Sequence, residues 1–204
     1  MMRRVNWSWV MTADLVAERR DHGRQLTGSR LAAVSYILID YGRLDRQTGP
    51  LGPRLISDAQ ELASPAWRSE AFDRADYAVQ FTTEAGRVFT ISWDSPGYHV
   101  GIWLREVPAR GFAYTRDSDV AVWDVSRAGR WDSFIGVEVT DVILHYRQWA
   151  EDGYECPRIT IAFGDRSVEL LLADSDADQL LAPSGDNIAV LFPLEPLPQW
   201  ARDS

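Results

Sequence analysis

Apolar residues recur along much of the chain with the period of two that sends alternate side chains to one face of a strand. The alternation predicts strands at Arg30–Asp40, Tyr77–Thr83, Val88–Trp93, Val100–Leu104, Val137–Trp149, Arg158–Phe163, Val168–Ala173 and Ile188–Phe192, with a weaker one at Val120–Val125. Glu84-Ala85-Gly86-Arg87 offers glycine where a tight hairpin needs positive φ, and Ser95-Pro96-Gly97 breaks the chain before Val100. Helix signals are few. Thr12 is placed to cap a short helix running to Arg20, with Asp14 in its first turn and Arg19 and Arg20 near its end. Ser57–Ala63 and Asp174–Leu181 are candidates for single turns or short helices.

Three blocks recur in the same order. Gly28–Tyr41 lies over Gly136–Trp149, Val88–Asp94 over Val168–Asp174, and Gly97–Leu104 over Gly185–Phe192, while Phe81 and Phe163 close the strand before each hairpin. The pattern predicts one globular domain over 1–204 built from two four-stranded antiparallel units, 26–108 and 109–204, with an insertion at 42–76 in the first. Each sheet needs cover on one face, so two of them packed together give a mainly β fold, a β-sandwich or split barrel, with a short N-terminal helix. An α+β arrangement, with that helix lying on the sheet, is the alternative. Val34, Phe81, Ile91, Ile102, Val142, Phe163, Leu171 and Val190 are the expected core.

Composition narrows the chemistry. The 204 residues are 46% apolar, which supports a packed domain rather than disorder. Thirty acidic residues against 21 basic ones give a net charge of −9. That disfavours a duplex nucleic-acid partner and favours a basic protein. Every basic residue is arginine, so neither a Schiff-base lysine nor a phosphate-loop lysine is present. Cys156 stands alone, which excludes an intrachain disulfide and points to a reducing compartment. The first twenty residues hold no apolar core of signal-peptide type, and no run reaches 18 apolar residues; the expectation is a soluble cytoplasmic protein without membrane contact.

Catalytic motifs are missing. His22, His99 and His145 have no metal-ligand spacing, and Cys156 sits beside Glu155, whose charge disfavours a thiolate. Trp93-Asp94, Trp123-Asp124 and Trp131-Asp132 repeat a dipeptide at spacings unlike those of a propeller blade. Asp174, Asp176 and Asp178 alternate as in a calcium loop, but Gln179 and Gly185 occupy the positions that require Gly and Glu. No metal and no cofactor are therefore expected, and binding is favoured over catalysis. Acidic turn residues Asp117, Asp119, Asp132, Asp174, Asp176 and Asp178, with Trp67 and Trp131 as loop anchors, form the candidate partner-binding set.

A small, acidic, single-cysteine, β-rich chain without a catalytic motif resembles an immunity protein of a bacterial toxin–immunity pair. The resemblance is one of profile and carries no diagnostic residue string. It implies neutralisation of a cognate toxin by occluding its active site or substrate path; the sequence leaves monomer and homodimer open. A second reading is an enzyme, or a small-ligand or carbohydrate binder, using a carboxylate- and Trp-lined cleft between the two units. The core assignment has a direct check. Phe163→Ala should cost on the order of 3–5 kcal/mol in urea unfolding, and an unchanged melting temperature would remove Phe163 from the core.

Overall fold

The computed structural model describes residues 11–40, 52–93, 101–150, 153–175 and 180–202. The Ser95-Pro96-Gly97 turn, His99, Asp176 and Asp178 lie outside them. Helix α1 (Ala13–Arg24) opens at Thr12, whose hydroxyl accepts from Leu15 N at 3.4 Å. The strands are β1 (Leu31–Ile39), β2 (Arg54–Leu55), β3 (Asp73–Ala75), β4 (Ala78–Thr83), β5 (Val88–Trp93), β6 (Ile102–Arg105), β7 (Val120–Asp124), β8 (Asp141–Ala150), β9 (Gly153–Phe163), β10 (Arg166–Ser175) and β11 (Leu181–Leu191). Two short helices, α2 (Ala59–Ala63) and α3 (Gln199–Arg202), and a 3-10 turn at Arg130–Phe134 complete the set.

These strands form a β-sandwich. One sheet has the order β2-β7-β1-β4-β5-β6, the other β3-β11-β10-β9-β8. Helix takes 16% of the described residues, so the fold is mainly β with a short N-terminal helix rather than α+β. Within each sheet four strands run as an antiparallel meander in chain order, β1-β4-β5-β6 and β8-β9-β10-β11. The segment between β1 and β4 supplies one extra strand to each sheet: β2 pairs parallel with β7, and β3 pairs antiparallel with β11. The inserted segment thus ties the two sheets together. Arg54 on β2 anchors it, donating to Asp40 at the end of β1 and to Glu61 on α2.

Several elements differ from the sequence reading: α1 runs on to Arg24 rather than Arg20, β9 begins at Gly153 rather than Arg158, and β11 begins at Leu181 rather than Ile188. The strand expected from Val137 begins at Asp141, because Gly136–Val139 pair across to the other sheet: Gly136 N donates to Leu31 O and Val139 N to Ser29 O, both at 2.8 Å. The helical candidate Asp174–Leu181 is extended at both described ends, since Asp174 continues β10 opposite Ala182.

One core fills the space between the sheets. Val34, Tyr36, Phe81, Ile91, Ile102 and Leu104 from the first sheet meet Val142, Ile159, Phe163, Leu170 and Val190 from the second. All eight residues expected in the core are buried. Their faces reveal a slip in the sequence alignment, however. Ile91 points into the inter-sheet core, whereas its aligned partner Leu171 belongs to a second cluster, with Ala189, Leu191 and Ala201, on the outer face of the other sheet. An error of one residue inverts every side chain of a strand, so the Val88–Asp94 and Val168–Asp174 blocks are out of phase. The other blocks keep phase: Val34 and Val142, Phe81 and Phe163, and Ile102 and Val190 all face inward.

At one corner the sheets nearly touch. Gly101, at the start of β6, bridges Cys156 of β9, with φ of +93°. A Cβ at this position would overlap the Cys156 backbone, so glycine is required sterically as well as conformationally. Helix α1 packs over the same corner, with Gly23 against Leu144 of β8. Gly101→Ala should therefore lower stability by at least ~1–3 kcal/mol, read as a melting temperature several degrees below that of the parent. An unshifted transition would mean that the corner contact does not hold the sheets in register.

Candidate functional site

Two of the expected anchors are structural. Trp131 has no exposed surface and Trp67 is 2% exposed, so neither can hold a partner at the surface. Trp131 and Phe134 lie three residues apart in the 3-10 turn, a spacing that puts both side chains on one face of that helix type. That face wedges between the sheets, where the Trp131 ring meets Phe81 at 5.6 Å and Phe192 at 5.2 Å, edge-on. Trp67 packs edge-on against Tyr36, also at 5.6 Å. Large aromatic surface outweighs the polar neighbours that made these positions look like open loops.

A buried polar chain runs through this wedge. Trp131 Nε1 donates to the Tyr36 hydroxyl at 2.6 Å, and that hydroxyl donates to Asp73 Oδ2 at 3.0 Å. Arg130 donates to Asp73 Oδ1 at 3.0 Å and forms an ion pair with Glu195 at 3.2 Å. Burial pushes the Asp73 carboxyl up to about 6, although Arg130 and Tyr36 pull the other way. The chain leaves the donors of Trp131 and Tyr36 satisfied in the interior, which is its structural role.

The acidic residues sort to two ends of the sandwich. Asp119 follows the far end of β1, where Asp40 N donates to its carbonyl, and its neighbour Asp117 is exposed beside Arg116. Asp174 accepts from Asn187 at 2.8 Å. Asp132 is exposed on the 3-10 turn, whose chain continues to Gly136 at the opposite end of β1. Nine strand residues, roughly 30 Å, separate the two ends, so Asp132 and the Asp117–Asp119 turn do not form one patch.

Asp132 instead has acidic company that the sequence reading did not select. Glu84, Glu138, Asp141 and Asp165 are all exposed. Their segments are stitched to one end of the molecule: Glu84 N donates to Arg30 O, Arg30 pairs with Glu138 at 3.6 Å, Gly164 N donates to Thr140 Oγ1, and Arg166 donates to Ser133 O. Next to this rim the chain after β11 presents Leu194 with 98% of its surface exposed, while the adjoining Glu195 holds Arg130. An apolar residue between two prolines, in Phe192-Pro193-Leu194-Glu195-Pro196, was the available signal.

The nucleophile and base candidates are occupied. Cys156 is fully buried and its thiol is pushed up to about 12 by desolvation. On the outer face of the second sheet Arg158 approaches His145 Nδ1 at 2.8 Å, His145 Nε2 meets Thr160 Oγ1 at 2.8 Å, and Thr160 donates to Glu169 at 2.7 Å. Arginine can only donate, so Nδ1 accepts and the ring is neutral with its proton on Nε2. Burial and the Arg158 charge agree, lowering His145 to about 4. Among the described residues no group of three or more His, Cys, Asp or Glu is placed to hold a metal ion.

The space expected to form a cleft between the units is filled by the core. A pocket of about 280 Å³ lies elsewhere, on the outer face of the first sheet, lined by Tyr77, Ser92, Trp93, Arg105, Phe112 and Ala113. Comparison with protein-family models, with curated proteins and with solved structures finds no match for the chain. No described helix is long and apolar enough to cross a membrane.

The Asp73 network sets a pH dependence. Its carboxyl takes up a proton near 6 in the folded chain, against an ordinary value of 3.8. The folded state therefore binds more protons between these values, so this group's contribution is full below about 4 and is lost as pH rises through 6. It amounts to at most ~3 kcal/mol. Urea unfolding of the parent and of Asp73→Asn between pH 4 and 7 should show their stability difference changing across that window, and a constant difference would exclude the shift.

Proposed function

We propose that the chain is a non-catalytic binding protein that covers a basic protein partner, in the manner of an immunity protein that neutralises a toxin. The observation that carries this reading is the rim of Glu84, Asp132, Glu138, Asp141 and Asp165 beside the almost fully exposed Leu194. A nearly fully exposed apolar side chain near a mostly acidic rim, in which Arg30 pairs with Glu138, has features of a protein interface: an anchor to be desolvated and a rim that attracts the partner. The net charge of −9 extends that attraction over about a Debye length, roughly 8–10 Å. The burial of Cys156 and the neutral, hydrogen-bonded His145 support binding rather than covalent or acid–base chemistry at those residues.

Rim and anchor should respond differently. Asp132→Arg combined with Glu138→Arg should slow association and flatten its salt dependence, whereas Leu194→Ala should mainly speed dissociation, by about 1–2 kcal/mol. The direct test is co-expression with the products of adjacent genes, scored by host survival, followed by surface plasmon resonance on any product neutralised. Adjacent genes encoding no toxic product, or a neutralised product indifferent to both sets of changes, would overturn the reading.

A further inference from the structure

Leu194 stands at the tip of a turn that is tied down on both sides. Glu195 N donates to Phe192 O at 2.9 Å, which closes the turn, and Phe192 N donates back to Glu195 Oε2 at 2.8 Å. The other carboxylate oxygen, Oε1, pairs with Arg130 Nη2 at 3.2 Å. That arginine is fixed from beneath, its Nη1 donating to Asp73 Oδ1 at 3.0 Å and its Nη2 to Glu70 O at 2.6 Å. Phe192 itself is buried against Trp131. Pro193 and Pro196 flank the tip, each with φ fixed by its ring. All of this holds in place a side chain with 98% of its surface exposed.

We propose, resting on the binding reading above, that the Phe192–Glu195 turn is a preformed anchor with Arg130 as its positioning residue, and that it fits a basic partner whose surface has an apolar recess for one aliphatic side chain. Leu194 belongs to no core cluster, so its placement gives the fold no packing. In binding the placement counts, because an ordered tip has little freedom left to lose when a partner closes over it. A protruding turn fits a concave surface, and a single leucine fills a small recess rather than a groove. Both oxygens of Glu195 are occupied within the chain, so the charge offered to the partner comes from the rim. Asp132 supplies it closest in sequence, exposed two residues beyond Arg130 on the same 3-10 turn.

Amide hydrogen exchange by NMR on the full chain reads the turn without a partner. The Phe192 and Glu195 amides should exchange more slowly than in an unstructured chain by about tenfold or more. Glu195→Ala should remove that protection at both positions while the β4 and β9 ladders keep theirs. This variant cuts the turn from Arg130 but leaves Arg130 on Asp73, so the core stays intact; Arg130→Gln should loosen the same two amides. The second arm uses surface plasmon resonance against the toxic product that co-expression identifies. Glu195→Ala should dissociate about tenfold faster although Leu194 is still present, and Leu194→Trp, too large for the recess, should bind about tenfold more weakly. The cost of Leu194→Ala should shrink in the Glu195→Ala background, a coupling that a merely structural role would not produce. Unprotected Phe192 and Glu195 amides in the parent would overturn the proposal, as would protection that survives Glu195→Ala, or costs that simply add. If no product is neutralised, the binding reading fails and the anchor with it. A product neutralised equally by the parent, Glu195→Ala and Leu194→Trp overturns the anchor alone.

Discussion

The hydrogen-bonded run from Trp131 through Tyr36 to Asp73 and Arg130 holds the two sheets as one body. Tyr36 belongs to the first sheet and Asp73 to the second, so the link crosses the apolar core of the sandwich with side-chain hydrogen bonds. Apolar packing alone is non-directional and tolerates sliding of one sheet over another. A buried donor and acceptor pair does not, because leaving either unsatisfied costs about 1–3 kcal/mol. The wedge of Trp131 and Phe134 and the placement of β3 both depend on that pairing. So does the position of Arg130, and with it the Glu195 loop that presents Leu194.

Most of the fold was legible because a half-buried antiparallel strand writes its own period into the sequence. Val88–Trp93 was read to the residue, and Thr12 was identified as the cap of α1. The two strands that went unread are the shortest: β2 has two residues and β3 three, too few for any period to show. In β3, moreover, Asp73 faces inward because Tyr36 and Arg130 await it, a reason located 37 and 57 residues away. The misphased block arose because Val168–Asp174 is apolar on both faces, α3 and the C-terminal segment covering the outer one. The three consecutive leucines, Leu170–Leu172, carry no alternation from which to read register.

The candidate surfaces were less legible, for a related reason. Local composition marks turns well but not depth. Trp131 sits between Arg130 and Asp132 and looks solvated, yet its spacing to Phe134 is the sign of a one-sided turn turned inward. Leu194, outside every predicted element, is almost fully exposed. Asp117 lies in a turn and Asp132 in the 3-10 turn, whereas Asp174 continues β10. Which turns share an end of the sandwich follows from strand direction, and strand direction comes from pairing rather than composition.

The crossing of β3 to the second sheet has a consequence for how the chain is made. β3 lies in the first half of the sequence, but the sheet partner it has among the described residues, β11, lies near the C-terminus, with Ala75 opposite Ile188. A nascent chain leaving the ribosome can form the β1-β4-β5-β6 meander early, yet Asp73 has no sheet to join until on the order of a hundred more residues have emerged. During that interval the inward faces of the first meander and the unpaired Asp73 are exposed together. Completion of the fold is set by the arrival of its C-terminal strand. Loss of that strand by truncation would therefore undo the junction in the N-terminal half as well as the edge it visibly occupies.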